Sequence, residues 1–194
     1  MSPKIVETIG LLNKIIEELP DNCFFNEAAD TVEIMDFENE LGIELPYSYK
    51  IFLNNFNGGF ICNAYQAKLI KEGDFESAQW NSNHLFGLDE IREIYEQKKM
   101  MDWKVFGNEY KIYPFIPFCR TSIGELLIFA NPLNNDLESP VFDAHHEEFP
   151  NSWGTLYKDF SELFENYVAN NGELKTTSYD APTAEEFINK TTEL

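Results

Sequence analysis

The stretch that decides the fold is ENELGIELPYSYKIFLNNFNGGF, residues 38–60. Gly42 is typical of a helix end, and Pro46 suits the first turn of a new helix, where a missing N–H disrupts no bond. The apolar stripe of this second helix consists of Tyr49, Phe52, Leu53 and Phe56. The Asn-Gly-Gly sequence at 57–59 then lets the backbone reverse before an apolar strand that starts at Phe60. No residue here indicates catalysis, so we interpret the stretch as a structural segment whose apolar side chains form a hydrophobic core.

Apolar periodicity and breaker residues predict further elements on both sides of this stretch. Helices are predicted over residues 3–19, from about 30 to 41, from about 89 to 96, and from about 156 to 170. Strands are predicted at 60–62, 84–88, 113–119, 125–130 and from 141 onwards. Pro114 and Pro117 place the 113–119 strand at a sheet edge or on a bulge. Residues 20–30 are predicted to form a linker, and residues 71–83 a long loop or an irregular hairpin.

The order of these elements predicts a single α+β domain. Strands that lie between helices and follow one another with short turns indicate a largely antiparallel or mixed sheet packed by several helices. We assign residues 1–172 to this domain, including the N-terminal helix at 3–19. Residues 173–194 are rich in Thr and Glu, so we expect a flexible acidic tail there, with one short amphipathic turn around Phe187 and Ile188.

The charge balance narrows the classes of partner. The chain has 34 acidic and 14 basic residues, which give it a net charge of −20. A protein this acidic is repelled by nucleic acid and by anionic membranes and is attracted to basic proteins, so we expect no nucleic-acid or membrane binding. The alternative explanation is that the carboxylates only keep the protein soluble.

Neither a membrane span nor a secretion signal is evident in the sequence. No apolar run approaches the ~20 residues that cross a bilayer, and Glu7 and Asn13 interrupt the apolar stretch that a signal peptide needs. Cys23, Cys62 and Cys119 are widely spaced, which favours buried, reduced thiols over a disulfide framework or a zinc site. We therefore expect a cytoplasmic protein.

The acidic residues are concentrated in two segments that contain no Lys or Arg. Ten acidic residues lie within residues 15–49, and six lie within residues 121–157. In the first segment, Glu33, Asp36 and Glu40 share the outer face of a predicted helix, with no lysine four residues later to neutralise them. Such a row of carboxylates suits a solvated surface, and it equally suits a surface onto which a basic partner docks.

One cluster in the sequence has residue types that could do chemistry. Asp143, His145 and His146 combine carboxylate and imidazole groups, which suit a metal site or acid–base catalysis. They lack the helical His pair of zinc protease motifs, and a polar turn at a strand end explains the same residues. Trp80 and Trp153 lie in polar segments, where a Trp forms either a lid over the core or an anchor for a partner.

The pattern of the opening stretch resembles the SUKH superfamily, which includes yeast cell-wall-assembly regulators and many bacterial immunity proteins. The matching residues are Leu41, Gly42, Leu45, Pro46, Tyr49, Lys50, Phe52, Leu53, Asn57, Gly58 and Gly59. Weaker matches follow in family order at Pro117, Phe118, Gly124, Pro140, Val141, Phe142 and Asp143, at His145 or His146, and at residues 160–164. The resemblance covers residues 30–168. It implies a protein that is not an enzyme and that, in bacteria, neutralises a toxin encoded beside it, often a nuclease.

The resemblance and the charge together predict a bacterial immunity protein without metal or cofactor, acting on a cognate basic toxin. The predicted partner-binding residues are Glu33, Asp36, Glu40, Glu44, Asp143, Glu147, Glu148 and Trp153. Two alternatives stay open, namely a regulatory scaffold of the same family and a small metal-dependent hydrolase that uses Asp143, His145 and His146. The sequence does not distinguish a monomer from a dimer.

Overall fold

A computed structural model describes residues 3–99, 104–105, 108–109, 115–131, 133, 137–145, 147–148, 150–175 and 181–192. The helices in these segments are α1 (Pro3–Glu18), α2 (Thr31–Leu41), α3 (Tyr47–Leu53), α4 (Ala64–Lys71), α5 (Phe75–Trp80), α6 (Leu88–Lys99), α7 (Phe160–Ala169) and α8 (Ala184–Thr192). The strands are β1 (Cys23–Phe25), β2 (Gly59–Ile61), β3 (His84–Leu85), β4 (Lys104–Val105), β5 (Asn108–Glu109), β6 (Phe115–Arg120), β7 (Leu126–Ala130), β8 (Val141–Ala144) and β9 (Thr155–Tyr157).

Seven of the described strands form one antiparallel sheet in the order β1-β2-β3-β6-β7-β8-β9, and β4 pairs with β5 apart from it. The predicted α+β class with an antiparallel sheet is therefore confirmed. For the 113–119 strand the sequence offered an edge position or a bulge, and the edge is excluded because Cys119 of β6 pairs with Leu85 on one side and with Leu127 on the other. The predicted bulge is present, since the register shifts between Pro117 and Cys119 and so accommodates the proline inside the sheet.

The main hydrophobic core lies on the inner face of this sheet, beneath α1, α2, α3, α6 and α7. Tyr49 of α3 is at its centre, with the rings of Phe160 and Phe129 at centroid distances of 4.8 and 5.2 Å. The Tyr49 hydroxyl donates a hydrogen bond to the Phe86 carbonyl oxygen at 2.5 Å, which satisfies a polar group inside the core. The apolar stripe predicted for the second helix, from Tyr49 to Phe56, is buried throughout.

The turn at 57–59 brings three parts of the backbone into close contact. Gly58 and Gly59 have φ angles of 85° and 140°, which residues with a side chain rarely adopt. A Cβ on Gly59 would be 2.3 Å from the carbonyl oxygen of Phe24 in β1, so no side chain fits there. The Asn57 side-chain oxygen accepts a bond from the Leu88 N–H at 2.9 Å and so ties the turn to the start of α6.

Helices cover the outer face of the sheet at both of its ends. At one end, Phe60 and Cys62 pack against Ala67 of α4. At the other end, Ile128 and Phe142 pack beneath α8, together with Trp153. The expectation of a flexible tail from residue 173 is therefore wrong for α8, because Ala184 and Ile188 on its apolar side are buried against the sheet.

Three further segments differ from the sequence expectations. The predicted linker at 20–30 contains β1, whose Phe24 pairs with Phe60 of β2. The predicted loop at 71–83 contains α5, which Asp74 caps by accepting a bond from the Ser77 N–H. The predicted start of the last helix at about residue 156 is wrong, because Thr155–Tyr157 form the strand β9 and α7 begins at Phe160. Within the described residues, no helix combines the length and the apolar character that a bilayer span requires.

Candidate partner-binding surface

The sequence-predicted acidic face lies on α2, which is fixed in place at both ends. Asp30 caps the helix by accepting bonds from the Val32 and Glu33 N–H groups at 2.7 and 2.9 Å. Gly42 ends it with a left-handed φ of 65°. Because Ile34, Phe37 and Leu41 are buried, the other side of α2 is left to the solvent.

Asp36 occupies the middle of this solvent-exposed side. Val32 and Met35, one turn before it and next to it, are both more than half exposed. Asp36 and Glu44 are exposed and form no ion pair with any residue in the described segments. The surface of α2 thus combines free carboxylates with accessible apolar side chains.

Two of the predicted carboxylates have partners that helical spacing did not reveal. Glu33 accepts a bond from the Asp30 N–H at 2.7 Å, so it completes the cap of its own helix. Glu40 accepts two bonds from the Arg92 guanidinium of α6, at 3.1 and 3.3 Å. The expectation that Glu40 lacks a cationic neighbour is therefore wrong. Arg92 also forms an ion pair with Asp89 of its own helix, at 2.6 Å.

The second set of predicted contact residues does not form one surface. Glu147 and Glu148 are exposed in the turn after β8. Asp143 is half-buried, and one of its carboxylate oxygens has no hydrogen-bond partner among the described residues. Burial raises the pKa of the Asp143 carboxyl, and the charge of the neighbouring Glu125 raises it further, while His145 lowers it.

Trp153 is a lid over the outer core and not an exposed anchor. Only 7% of its surface is accessible, and its ring lies 5.2 Å from that of Phe115 in an edge-to-face arrangement. Its indole N–H donates to the His145 carbonyl oxygen at 3.3 Å. Trp153 therefore does not belong to the accessible surface, in contrast to its place among the predicted contact residues.

The residues of the possible metal or catalytic cluster are only partly described. His145 Nε2 lies 3.6 Å from a carboxylate oxygen of Glu125, a buried residue that the sequence analysis did not single out. His146 lies outside the described residues. Within the described part of the chain, no group of three or more His, Cys, Asp or Glu side chains has the arrangement that holds a metal ion.

A buried polar group around His84 also went unnoticed in the sequence. His84 Nδ1 accepts a hydrogen bond from the Gln79 side-chain amide at 3.1 Å, and its Nε2 faces Glu90 at 3.4 Å. Burial, together with the positive charge of Arg120, lowers the pKa of His84 to about 4. The imidazole is therefore neutral at pH 7, and its contact with Glu90 is not an ion pair. This arrangement fixes α5 to the sheet, and the His84 side chain is only 3% exposed.

The buried cysteine thiols are likewise unsuited to act as nucleophiles. All three are free thiols; Cys62 and Cys119 are buried, and Cys23 is half-buried. Burial raises the pKa of the Cys62 thiol to about 11 and raises that of Cys119 as well, so both stay protonated at neutral pH.

Comparison with protein families gives one match. The model of the SMI1/KNR4 family (SUKH-1) covers residues 28–166, from just before α2 into α7. No curated protein matches the chain. At the level of the family, the match indicates an immunity or regulatory type of protein. Because the matched region is well over half of the chain and has the predicted α+β architecture, the chain belongs to the SMI1/KNR4 family (SUKH-1).

Proposed function

We propose that this protein is a non-enzymatic immunity protein that binds and neutralises a cognate toxin, of nuclease type, with a basic surface. The observation that supports this most is the exposed side of α2, where Asp36 lies free between accessible apolar residues. The net charge of −20 gives the whole molecule an attraction for such a partner. A nuclease binds phosphates at a cationic site, so carboxylates on a rigid helix can occupy that site in place of the substrate.

The contact surface in this proposal is centred on α2 and has two kinds of residue. Asp36 and Glu44 offer unpaired carboxylates, and Glu40 offers one that Arg92 already holds in a fixed orientation. Val32 and Met35 supply apolar area beside them. Desolvated contacts at the centre of an interface contribute most of its stability, whereas charges at its rim speed the encounter of the two proteins. A surface that has both apolar side chains and carboxylates therefore suits a complex that is stable and forms rapidly.

The other predicted contact residues contribute to the proposed surface to different extents. Glu33 is exposed, but its carboxylate is engaged in the cap of α2. Glu147 and Glu148 lie in an exposed turn and can reach a partner as a second, smaller contact. We leave Asp143 and Trp153 out of the contact surface because they are half-buried and buried, respectively.

The test is growth rescue in cells that express the toxin domain encoded by the gene next to this one. Co-expression of the wild-type chain should restore growth, and the double variant Asp36→Lys/Glu44→Lys should restore it poorly, since it reverses two free charges without removing an internal bond. The matched control is Glu17→Lys/Glu18→Lys, the same charge change on exposed residues of α1. Equal rescue by both double variants would contradict the proposed surface.

A further inference from the structure

A second exposed surface lies on the opposite side of the sheet from α2. Its members are Tyr65 on α4, Trp80 at the end of α5 and Ile123 at the tip of the β6–β7 hairpin, and they are 60%, 54% and 82% exposed. We refer to these three residues as the aromatic patch. Large apolar side chains exposed to this degree in one place are typical of protein contact sites.

A hydrogen bond places the two aromatic residues at the same end of the α4–α5 pair. The Gln66 side-chain amide donates to the Asn81 carbonyl oxygen at 2.5 Å, which joins the first turn of α4 to the residue after α5. Tyr65 and Trp80 directly precede these two residues, so they lie at the same end of the α4–α5 pair.

The hairpin tip lies beside the same segment. The Ser122 N–H donates to the Asn83 side-chain oxygen at 2.9 Å, and Asn83 is three residues after Trp80. Ile123 follows Ser122 and points into solvent. The three residues of the aromatic patch therefore lie around residues 81–83.

Trp80 is already ordered for binding. The Arg120 guanidinium lies 3.9 Å from the centroid of the Trp80 ring, and Arg120 also donates to the Gln79 carbonyl oxygen at 3.3 Å. A Trp whose ring is held in place loses little side-chain entropy when a partner covers it, and for that reason stacked Trp and Arg residues are frequent hot spots of interfaces.

The charges around the aromatic patch balance, unlike those of the molecule as a whole. Lys68 of α4 and Glu72, the residue that follows this helix, are exposed and form an ion pair at 3.7 Å. Glu76 shares the outward side of α5 with Trp80, and Arg120 lies under the Trp80 ring. Lys71 at the end of α4 and Asp74 before α5 are also exposed, so residues 64–80 together with β6 contain three cations and three anions, in a chain whose net charge is −20.

We propose that the aromatic patch is the contact between two copies of this chain, related by a twofold axis. Two molecules of charge −20 repel each other, so they can approach only where the local charges balance. In a twofold dimer the charged residues around the aromatic patch of one copy face the same residues of the other copy, so the cations of one can lie against the anions of the other. A basic partner, in contrast, is drawn to the acidic side of α2. The patch is small for a permanent interface, so we expect a reversible dimer.

The test is sedimentation equilibrium of the full chain over a range of protein and NaCl concentrations. We expect the apparent mass to rise from 22.5 kDa towards twice that value as protein concentration increases. We also expect stronger association at higher salt, because salt screens the repulsion between the two acidic molecules. Association of the toxin through α2 should respond to salt in the opposite direction, so the two proposals fail independently.

Single-residue variants test whether the aromatic patch is the contact between the two copies. Ile123→Asp places a like charge opposite its symmetry mate without touching the core, and it should weaken dimerisation at least about tenfold. Trp80→Ala should do the same by removing the ordered ring. Leu11→Asp is the matched control, since Leu11 is 52% exposed on α1, and it should dimerise as the wild type does. A wild-type mass of 22.5 kDa at all concentrations, or an Ile123→Asp variant that dimerises normally, would overturn the proposal.

Discussion

Gly59 shows how strongly a single residue constrains this fold. Its φ is 140°, and a Cβ on this residue would lie 2.3 Å from the Phe24 carbonyl oxygen, which leaves no room for a side chain. We predict that Gly59→Ala lowers the free energy of unfolding by about 1–3 kcal/mol, measured by urea denaturation. Gly10→Ala is the control, because that site in α1 is open, and it should raise stability by up to about 1 kcal/mol. Equal effects of the two substitutions would refute this explanation.

His84 makes the stability of the protein depend on pH. In the unfolded chain its pKa is near 6.5, while burial lowers it to about 4 in the fold, so between these values the unfolded chain binds a proton that the folded chain excludes. The free energy of unfolding should therefore fall as pH drops from about 6.5 to about 4, by about 3 kcal/mol for this group. Burial raises the pKa of the facing Glu90, which acts in the opposite direction.

The check is urea unfolding at pH about 7 and about 4.5 for the wild type and for His84→Gln. The variant cannot titrate at this position, so it should lose less stability on acidification than the wild type. If both proteins lose the same amount, His84 is not the group responsible.

Residue roles could be predicted from the sequence where they act over a few positions. Asp30 caps α2 through N–H groups two and three residues away, and Gly42 ends the same helix, as the sequence indicated. The pairing of Glu40 with Arg92 could not be predicted, because it joins two helices across 52 residues of sequence. The burial of Trp153 could not be predicted either, because Trp153 packs with residues of α8 that are distant from it in the sequence.

At the scale of whole elements, the packing of α8 against the sheet can be tested by mutation. Ile188 is buried against the sheet, whereas Lys190 on the same helix is exposed. We predict that Ile188→Asp detaches α8, because an unpaired carboxylate cannot remain in an apolar contact. Limited proteolysis should then remove the C-terminal segment much faster than in the wild type, and Trp153 fluorescence should shift to the red.

The control for this experiment is Lys190→Asp, which changes an exposed side chain and should leave the cleavage rate near that of the wild type. Equally rapid cleavage of the wild type and both variants would mean that α8 does not pack against the sheet in solution.

The elements that the sequence predicted correctly are those with a strong local pattern. The helix–corner–helix–turn order in residues 38–60 follows from Gly42, Pro46 and the two glycines of the turn. The short elements β1 and β9, of three residues each, are below the length at which alternation is detectable. The position of β6 stayed open between an edge and a bulged strand, because Pro117 fits an inner strand only where a bulge accommodates it.

At the scale of the whole molecule, the charge of −20 affects stability as well as binding. Like charges repel more strongly in a compact fold than in an extended chain, so salt should stabilise the folded state. We predict that the melting temperature rises between about 10 and about 200 mM NaCl, measured by calorimetry at neutral pH. A melting temperature that falls over this range would mean that attractive ion pairs, such as Glu40 with Arg92, outweigh the net repulsion.

The architecture explains how one chain can offer two different surfaces. The sheet separates the helices of the main core, including the acidic α2, from the outer layer with α4, α5 and α8. The region matched by the family extends over both sides, while α1 and α8 lie outside it and still contribute buried residues. The proposed toxin-binding surface and the proposed dimer contact lie on opposite sides of the sheet and can therefore be occupied together.

The most direct test of the proposed function is the rate constant for association with the toxin domain encoded by the adjacent gene. Stopped-flow measurements from about 20 to about 500 mM NaCl should show a decrease of about tenfold or more for the wild type, since screening removes the electrostatic steering. The Asp36→Lys/Glu44→Lys variant should associate more slowly at low salt and depend less on salt. A wild-type rate constant that does not change with salt, or a variant with the same salt dependence, would contradict recognition through the acidic side of α2.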